Sequence, residues 1–231
     1  RPEGEFPELP EDTNRVMQIF RTAANDGRRE LTTRESLDVL DAAGVRICRS
    51  GMAHSEDEAV AVAEKTGYPV VMKMTSKTTS HKTDVGGVRV GIASEEDLRR
   101  EYRDLIGKLE AKGLLEGLEG VLIQEMVKSK RELVTGIATD PQFGPMVMFG
   151  LGGVFVEVLK DVAFRLAPLS DIDAKDLIHS VKCVKLLEGA RGFTPAQMDK
   201  VEETLLRISQ LAHVHRFVKE LDINPLMISD K

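Results

Sequence analysis

Alternating helix and strand signals in the first third of the chain constrain its fold most strongly. Thr32 precedes Glu35 by three residues, and Ser55 precedes Glu58 at the same spacing, which is the capping-box signature of a helix start. A short apolar run follows each predicted helix, and each run predicts a strand. These two predicted strands cover residues 45–48 and 68–72. The resulting α-β-α-β order indicates a mixed α/β (α+β) fold.

The rest of the chain is richer in predicted strands. Helices are predicted over residues 12–27 and 94–112, and residues 171–187 are predicted to form a helix or a pair of short turns. A last helix is predicted to begin at Thr194, with Pro195 in its first position. The further predicted strands cover residues 88–92, 120–127, 132–138, 145–149, 155–159, 162–166 and 219–226. We therefore predict a linker and helix (1–30), an N-terminal lobe (31–126) and a C-terminal lobe (127–231). A ligand is expected in the cleft between the lobes.

Composition excludes several classes of function. The 231 residues carry a net charge of −6, which argues against a general nucleic-acid binder, and they contain no Trp for base stacking. Cys48 and Cys183 lie far apart, so neither a disulfide framework nor a zinc site is indicated. The sequence shows no membrane-spanning run and no signal peptide, and we expect a cytoplasmic location. Because the chain begins at Arg1 with a Pro/Glu-rich stretch, it is expected to be processed or part of something longer.

The segment from residue 73 to residue 87 is rich in groups that suit phosphate. It contains three lysines, several hydroxyls, His81 and two adjacent glycines. Lysine supplies a flexible positive charge, and glycine lets backbone N–H groups approach anionic oxygens. The preceding apolar run is predicted to deliver Lys73 at its end. The alternative is a solvated hairpin loop whose lysines only add surface charge.

His81 is the single imidazole in this polar segment. The other four histidines fall at predicted helix starts or on helix faces, where surface positions are more common. A neutral imidazole nitrogen is nucleophilic near pH 7, so His81 is a candidate phosphoryl acceptor.

Three oxygen-bearing side chains alternate along the last predicted strand. Glu220, Asp222 and Asn224 lie two residues apart, so their side chains project from the same face. Hard cations such as Mg²⁺ prefer oxygen ligands of this kind. The alternative is a polar, solvent-facing strand edge.

Two further segments carry candidate binding residues. Glycines 150, 152 and 153 lie between predicted strands, where they suit either a backbone phosphate cradle or a β-bulge or tight turn. Glu125 ends a predicted buried strand and, with the amide of Val127, suits the edge of an adenine. An ordinary strand-end carboxylate is the alternative for Glu125.

Together these segments resemble the ATP-grasp subunit of ADP-forming acyl-CoA synthetases, also called ADP-forming acetate–CoA ligases. Succinyl-CoA synthetase β is a more distant relative. The resemblance is collinear from about residue 31 to residue 228, and it is carried by GYPVVMK, SHKTDVGGV, QEMV, ELVTGI, DPQFGPMVMFGLGGVFVEVLKDVAFRLAPL, LLEGARG and ELDINPL. It implies an ATP-grasp fold of two lobes with the nucleotide in the cleft between them.

The resemblance also implies roles for individual residues. Lys73, Gly152 and Gly153 would approach the ATP phosphates, and Glu125 and Val127 would line the adenine pocket. Glu132 would reach the ribose. Asn224 would bind Mg²⁺ with Asp222 and Glu157 close by. His81 would carry a phosphoryl group between ADP and a histidine on a CoA-binding partner module, in the reaction ATP + carboxylate + CoA ⇌ ADP + phosphate + acyl-CoA.

One departure from the family and two alternatives bear on this interpretation. Relatives continue into a VDAR-like strand with an aspartate metal ligand, whereas this sequence stops at Lys231, which favours a fragment. A regulatory ATP-grasp domain fused to a protein acetyltransferase would bind nucleotide without turnover. A carboxylate–amine ligase of the same fold uses no phosphohistidine, so His81 argues against it.

Overall fold

The computed structural model describes residues 4–76, 86–127, 129, 131–152, 161–189 and 194–228. The chain forms two compact units. We call Asn14–Asp41 with Ile47–Val127 the N-terminal unit, and Arg1–Thr13 with Ala42–Arg46 and Lys128–Lys231 the C-terminal unit. The lobe ranges given above stay a prediction.

The N-terminal unit combines helices with one antiparallel sheet. Its elements are α1 (Thr13–Asn25), α2 (Thr33–Ala42), β1 (Ser50–Ala53), α3 (Glu56–Thr66), β2 (Val70–Ser76), β3 (Val88–Ile92), α4 (Glu95–Ala111) and β4 (Leu118–Glu125). The strands lie in the order β1-β4-β2-β3, and each neighbouring pair is antiparallel. β4 thus lies between β1 and β2, although it follows both of them in the sequence.

Side-chain caps fix the starts of three helices in this unit. The Thr32 hydroxyl accepts from the Glu35 amide at 3.3 Å, and the Glu35 carboxylate accepts from the Thr32 amide at 2.8 Å. The Ser55 hydroxyl caps α3 by accepting from the Glu58 amide, and the Ser94 hydroxyl caps α4 by accepting from the Asp97 amide. These caps satisfy backbone N–H groups that have no partner within the helix. The predicted helix starts are therefore confirmed at all three positions.

The core of the N-terminal unit lies on one face of its sheet. β2 alternates, with Val70, Met72 and Met74 fully buried and the intervening Val71 and Lys73 only half-buried. The buried set packs with side chains from α3 and α4, among them Leu98 and Leu105. A period of two in burial is what a strand with one covered face requires. Lys73 consequently lies on the face opposite this core.

The strand predicted over residues 45–48 is wrong. β1 begins five positions later, at Ser50, and it is held by its pairing with β4 from Ser50↔Gln124 to Ala53↔Val121. Residues 45–49 have no regular secondary structure. Val45 is instead buried, at 5% exposure, without being part of a strand.

The C-terminal unit has a second antiparallel sheet with helices against it. Its elements are β5 (Arg131–Asp140), β6 (Gly144–Leu151), β7 (Val162–Leu166), α5 (Asp171–His179), α6 (Val184–Leu187), α7 (Met198–Val214) and β8 (Glu220–Ile228). The strand order is β7-β6-β5-β8, and α7 packs against β5 and β6. The strands predicted over residues 132–138 and 145–149 are confirmed as β5 and β6, which pair as far as Asp140↔Gly144 at their turn.

Two sequence-based boundaries in this unit need correction. The helix predicted to begin at Thr194 begins at Met198, because the Ala196 amide donates to the Leu187 carbonyl and the Thr194 carbonyl accepts from Arg131. Gly150 was expected to interrupt the sheet, yet β6 continues through it. The strand predicted over residues 155–159 lies outside the described residues.

The Pro/Glu-rich N-terminal stretch lies along the C-terminal unit. Glu5 exchanges two hydrogen bonds with Asp171, at 2.8 and 2.9 Å, and Leu9 exchanges two with the side-chain amide of Gln210, both at 2.8 Å. Arg207 donates to the carbonyl of Pro10. We call residues 4–12 the N-terminal strap. The sequence predicts a linker here and gives no sign of where it docks.

Candidate functional site

Lys73 occupies the middle of β2. It is the fourth residue of seven and pairs with Val88 on β3 and with Leu122 on β4. The prediction that the strand ends at this lysine is therefore wrong. The strand continues because Met74, Thr75 and Ser76 also pair with β4. Lys73 projects from a sheet, which gives its stem a fixed direction.

The ammonium group of Lys73 donates to the Oε1 atom of Gln124 on β4 at 2.9 Å. Burial lowers the pKa of Lys73, since desolvation disfavours the charged form, while the nearby Cys48 acts in the opposite direction. Within the described part of the chain, no carboxylate contacts this ammonium. A half-buried positive charge without a carboxylate partner favours an anion at this face of the sheet.

Glu125 ends β4 in an ion pair. The Arg49 Nε and Nη2 atoms donate to the two carboxylate oxygens of Glu125 at 3.1 and 3.3 Å. The Glu125 amide also donates to the Arg49 carbonyl at 2.8 Å. Val127 lies two residues beyond, outside any strand and half-buried. The pairing fixes the orientation of the Glu125 carboxylate at the end of the strand.

Glu132 and Gly152 meet through the backbone of the C-terminal unit. The Gly152 amide donates to the Glu132 carbonyl at 2.8 Å. A Cβ atom on Gly152 would lie 2.5 Å from the Leu133 carbonyl oxygen, closer than real contacts allow. Close backbone approach therefore accounts for glycine at this position.

Glu220, Asp222 and Asn224 project from one face of β8. All three are exposed, whereas Leu221 and Ile223 between them are partly buried. Asp222 lies opposite Gly136 on β5, and its pKa is raised by desolvation and, secondarily, by the charge of Glu220. The expected sharing of one face by these three side chains is confirmed. The raised pKa of Asp222 therefore comes first from burial of its carboxyl group and only second from the neighbouring Glu220.

A cavity of about 510 Å³ opens at the start of β8. Its lining combines strand residues of β5, β6 and β8 with the acidic pair, namely Ile137, Ala138, Thr139, Met148, Lys219, Glu220, Leu221 and Asp222. Asp222 thus borders a concave surface that has both apolar and charged walls.

Three predicted site residues, His81, Gly153 and Glu157, lie outside the described residues. In the described part of the chain, no three His, Cys, Asp or Glu side chains come together as a metal-binding group. The donor set on β8 still fits a hard cation, because Asp222 and Asn224 offer exposed oxygens on one strand face.

Arg49 and Gln124 were missed as site residues by sequence reasoning. Gln124 stands beside Glu125 at the end of an apolar run, and a polar residue there was a usable signal. Arg49 gave no signal, because its pairing spans 76 positions of the sequence.

Among the helices of the described ranges, none has the length and apolar character of a membrane-spanning segment.

Comparison with known proteins identifies the family. A family profile described as an ATP-grasp domain matches residues 22–231. The chain is 39% identical to acetate–CoA ligase (ADP-forming) I subunit beta from Pyrococcus furiosus, over 92% of this chain and 91% of the subunit. It is 44% identical to acetate–CoA ligase (ADP-forming) I from Archaeoglobus fulgidus over 84% of this chain, and the match spans only 28% of that longer protein.

Solved structures agree with this family. A dinucleotide-forming acetyl-coenzyme A synthetase 1 from Ca. Korarchaeum cryptofilum, in complex with coenzyme A, Ca-AMPCP and HgCl⁺, superposes with a TM-score of 0.89 at 39% identity and 94% coverage of both chains. The same enzyme with coenzyme A and Mg-AMPPCP gives 0.81 at 37% identity over 94% of both chains, and its phosphohistidine segment is described as pointing towards the nucleotide binding site. The chain has the fold of these enzymes.

Proposed function

The chain belongs to the ATP-grasp family, and from this premise we propose that it is the nucleotide-binding, phosphoryl-transfer part of an ADP-forming acyl-CoA synthetase. The reaction is ATP + carboxylate + CoA ⇌ ADP + phosphate + acyl-CoA. This chain supplies the nucleotide end. A CoA-binding module, in the same or a separate polypeptide, supplies the acyl chemistry, in keeping with relatives that occur both as a subunit of this length and as a much longer chain.

The observation that carries the proposal is the environment of Lys73. Its ammonium is half-buried and hydrogen-bonded to a neutral amide, and its charge has no carboxylate partner in the described residues. A nucleotide phosphate satisfies such a group, since it brings negative charge and several acceptor oxygens. Transfer of a phosphoryl group depends chiefly on positioning and on charge neutralisation of this kind.

In this proposal, other residues bind the adenine, the ribose and the phosphate that is transferred. Glu125 and the amide of Val127 bind the adenine edge, and Glu132 reaches the ribose. The backbone at Gly152 and Gly153 approaches the phosphate that is transferred.

Asp222, Asn224 and Glu157 would hold Mg²⁺. The exposed oxygens of Asp222 and Asn224 on β8 support this assignment. Mg²⁺ supplies charge neutralisation at the phosphate oxygens when it is bound. The pKa of Asp222 is raised first by desolvation and then by the charge of Glu220, and a bound cation would oppose both effects.

His81 carries the phosphoryl group in the proposed reaction. In the ATP-forming direction, an oxygen of the terminal phosphate of ADP attacks phosphorus, the P–O bond forms and the P–N bond to the imidazole breaks. The electron pair of the broken bond returns to that ring nitrogen while the other ring nitrogen keeps its proton, which leaves a neutral histidine ready for the next phosphoryl group. A covalent carrier protects the phosphoryl group from water between the two sites.

Calorimetric titration of the 231-residue chain with ADP and Mg²⁺ tests the proposal. We expect saturable binding, and we expect Lys73→Ala to weaken it by about tenfold or more, the value of a charge-assisted contact. Lys65→Ala is the matched control, because Lys65 is exposed in the last turn of α3 and should leave affinity unchanged. Equal affinity in wild type and Lys73→Ala would contradict the proposal.

A further inference from the structure

Gln124 and Lys73 share one face of the N-terminal sheet. Gln124 lies directly opposite Val71 on β2, and Lys73 is two residues beyond Val71, so the two side chains project to the same side. Ser50 on β1 lies opposite Gln124 on its other flank and joins this face. The core formed with α3 and α4 lies on the reverse side.

In the contact between Lys73 and Gln124, the lysine is the donor and the amide oxygen is the acceptor. One of the three N–H groups of the Lys73 ammonium is directed at Oε1 of Gln124, at 2.9 Å. An amide oxygen is a neutral acceptor, so it orients the ammonium and leaves its charge in place. A carboxylate at position 124 would form an ion pair and compete with any incoming anion. The amide is therefore the better partner for a lysine that binds phosphate.

We propose that Gln124 is a positioning residue for phosphate recognition, which holds the Lys73 ammonium towards the nucleotide without neutralising it. This inference rests on the proposed function. Gln124 acts through Lys73, so its removal should change the behaviour of that lysine specifically. Of the titratable groups in the described residues, Cys48 is the one that acts on the Lys73 charge, and it stays unchanged in every variant below.

The first measurement follows the titration of Lys73 itself, by NMR of the full chain with ¹³C-labelled lysine. Gln124→Met keeps the length of the side chain but removes the acceptor, so the pKa of Lys73 should fall below its wild-type value. Gln124→Glu adds a negative charge, so the pKa should rise. Ser50→Ala is the control on the same face: the Ser50 hydroxyl has no hydrogen-bond partner among the described residues, and its loss should not move Lys73.

The second measurement is ADP affinity by calorimetry. Gln124→Met should weaken ADP binding by about tenfold, the cost of losing one hydrogen bond to a charged group. In a Lys73→Met background the same change should cost less than about twofold, because the residue through which it acts is gone. The loss should also grow as the pH is raised, because burial lowers the pKa of Lys73 and the lysine therefore loses its proton at a lower pH than an exposed one.

The two measurements separate the possible failures. An unchanged Lys73 titration in both Gln124 variants, with normal ADP binding, would overturn the role of Gln124 alone. An equal loss of affinity with and without Lys73 would also overturn it, since Gln124 would then act by another route. If the wild-type chain does not bind ADP, the proposed function is wrong, and so is the role of Gln124 in phosphate recognition.

Discussion

The carboxylate of Glu11 and the imidazole of His215 lie 2.5 Å apart, although 204 positions separate them in the sequence. Both side chains are buried, at 4% and 2% exposure. Glu11 belongs to the N-terminal strap, and His215 follows the last residue of α7. The pair therefore joins the two ends of the described chain within the C-terminal unit, with Phe217 packed edge-on against the imidazole.

Breaking this pair should destabilise the C-terminal unit. Glu11→Ala leaves a buried imidazole without its partner, and we expect a loss of about 2 kcal/mol or more in the free energy of unfolding. Urea unfolding followed by circular dichroism measures it. Glu8→Ala is the control, since Glu8 is an exposed residue of the same strap and should change stability by less than about 0.5 kcal/mol. Equal effects of the two substitutions would show that the pair contributes nothing.

Sequence patterns that involve only neighbouring residues gave the most reliable predictions of secondary structure. The capping residues Thr32, Ser55 and Ser94 gave correct helix starts, because a cap depends on three or four neighbouring residues. β1 was misplaced because its position depends on pairing with β4, some seventy residues away. The start of α7 was misplaced for the same reason, since the long-range partner Arg131 takes the Thr194 carbonyl.

The candidate site also combines features that local sequence predicts with contacts between distant residues that it does not predict. The alternation of Glu220, Asp222 and Asn224 was readable because a strand has a fixed period of two. The contacts of Lys73 with Gln124 and of Arg49 with Glu125 were not readable, because each joins separate strands or loops in the folded unit. Residue types that suit a ligand can be read from sequence, whereas the residues that hold them in place require the fold.

Gly152 should tolerate no side chain. In Gly152→Ala the new Cβ would lie 2.5 Å from the Leu133 carbonyl oxygen, so the backbone must shift, at a cost of about 1–3 kcal/mol. Gly107→Ala is the matched control. Gly107 lies inside α4 with open space around it, and alanine there should stabilise by about 0.5–1 kcal/mol through helix propensity. Thermal unfolding of both variants checks the opposite signs, and a neutral Gly152→Ala would contradict the close approach.

Acid should destabilise the N-terminal unit through Glu35. The hydrogen bonds from Arg28, and after them the Thr32 amide, lower the pKa of Glu35 from 4.5 to about 2. A carboxylate with a lowered folded-state pKa stabilises the fold above its unfolded pKa and loses that contribution as the pH falls towards 2. Allowing for partial exposure of the pair, the contribution is roughly 2–3 kcal/mol.

Acid unfolding of Glu35→Gln measures this contribution. The variant should be less stable than wild type at neutral pH and should lose less stability between about pH 5 and pH 2. Glu30→Gln is the control, because Glu30 is an exposed residue of the same loop. Identical pH profiles for wild type and Glu35→Gln would show that Glu35 does not contribute.

Turnover of the assembled enzyme in the ATP-forming direction tests whether His81 carries the phosphoryl group. His81→Ala, assayed with the CoA-binding partner, should bind ADP within about twofold of wild type, yet its turnover should fall by several orders of magnitude, because the nucleophile is needed only in steps where it is bonded to phosphorus. His213→Ala, at an exposed position near the end of α7, is the control and should turn over normally. Turnover of His81→Ala within a few-fold of wild type would contradict the account.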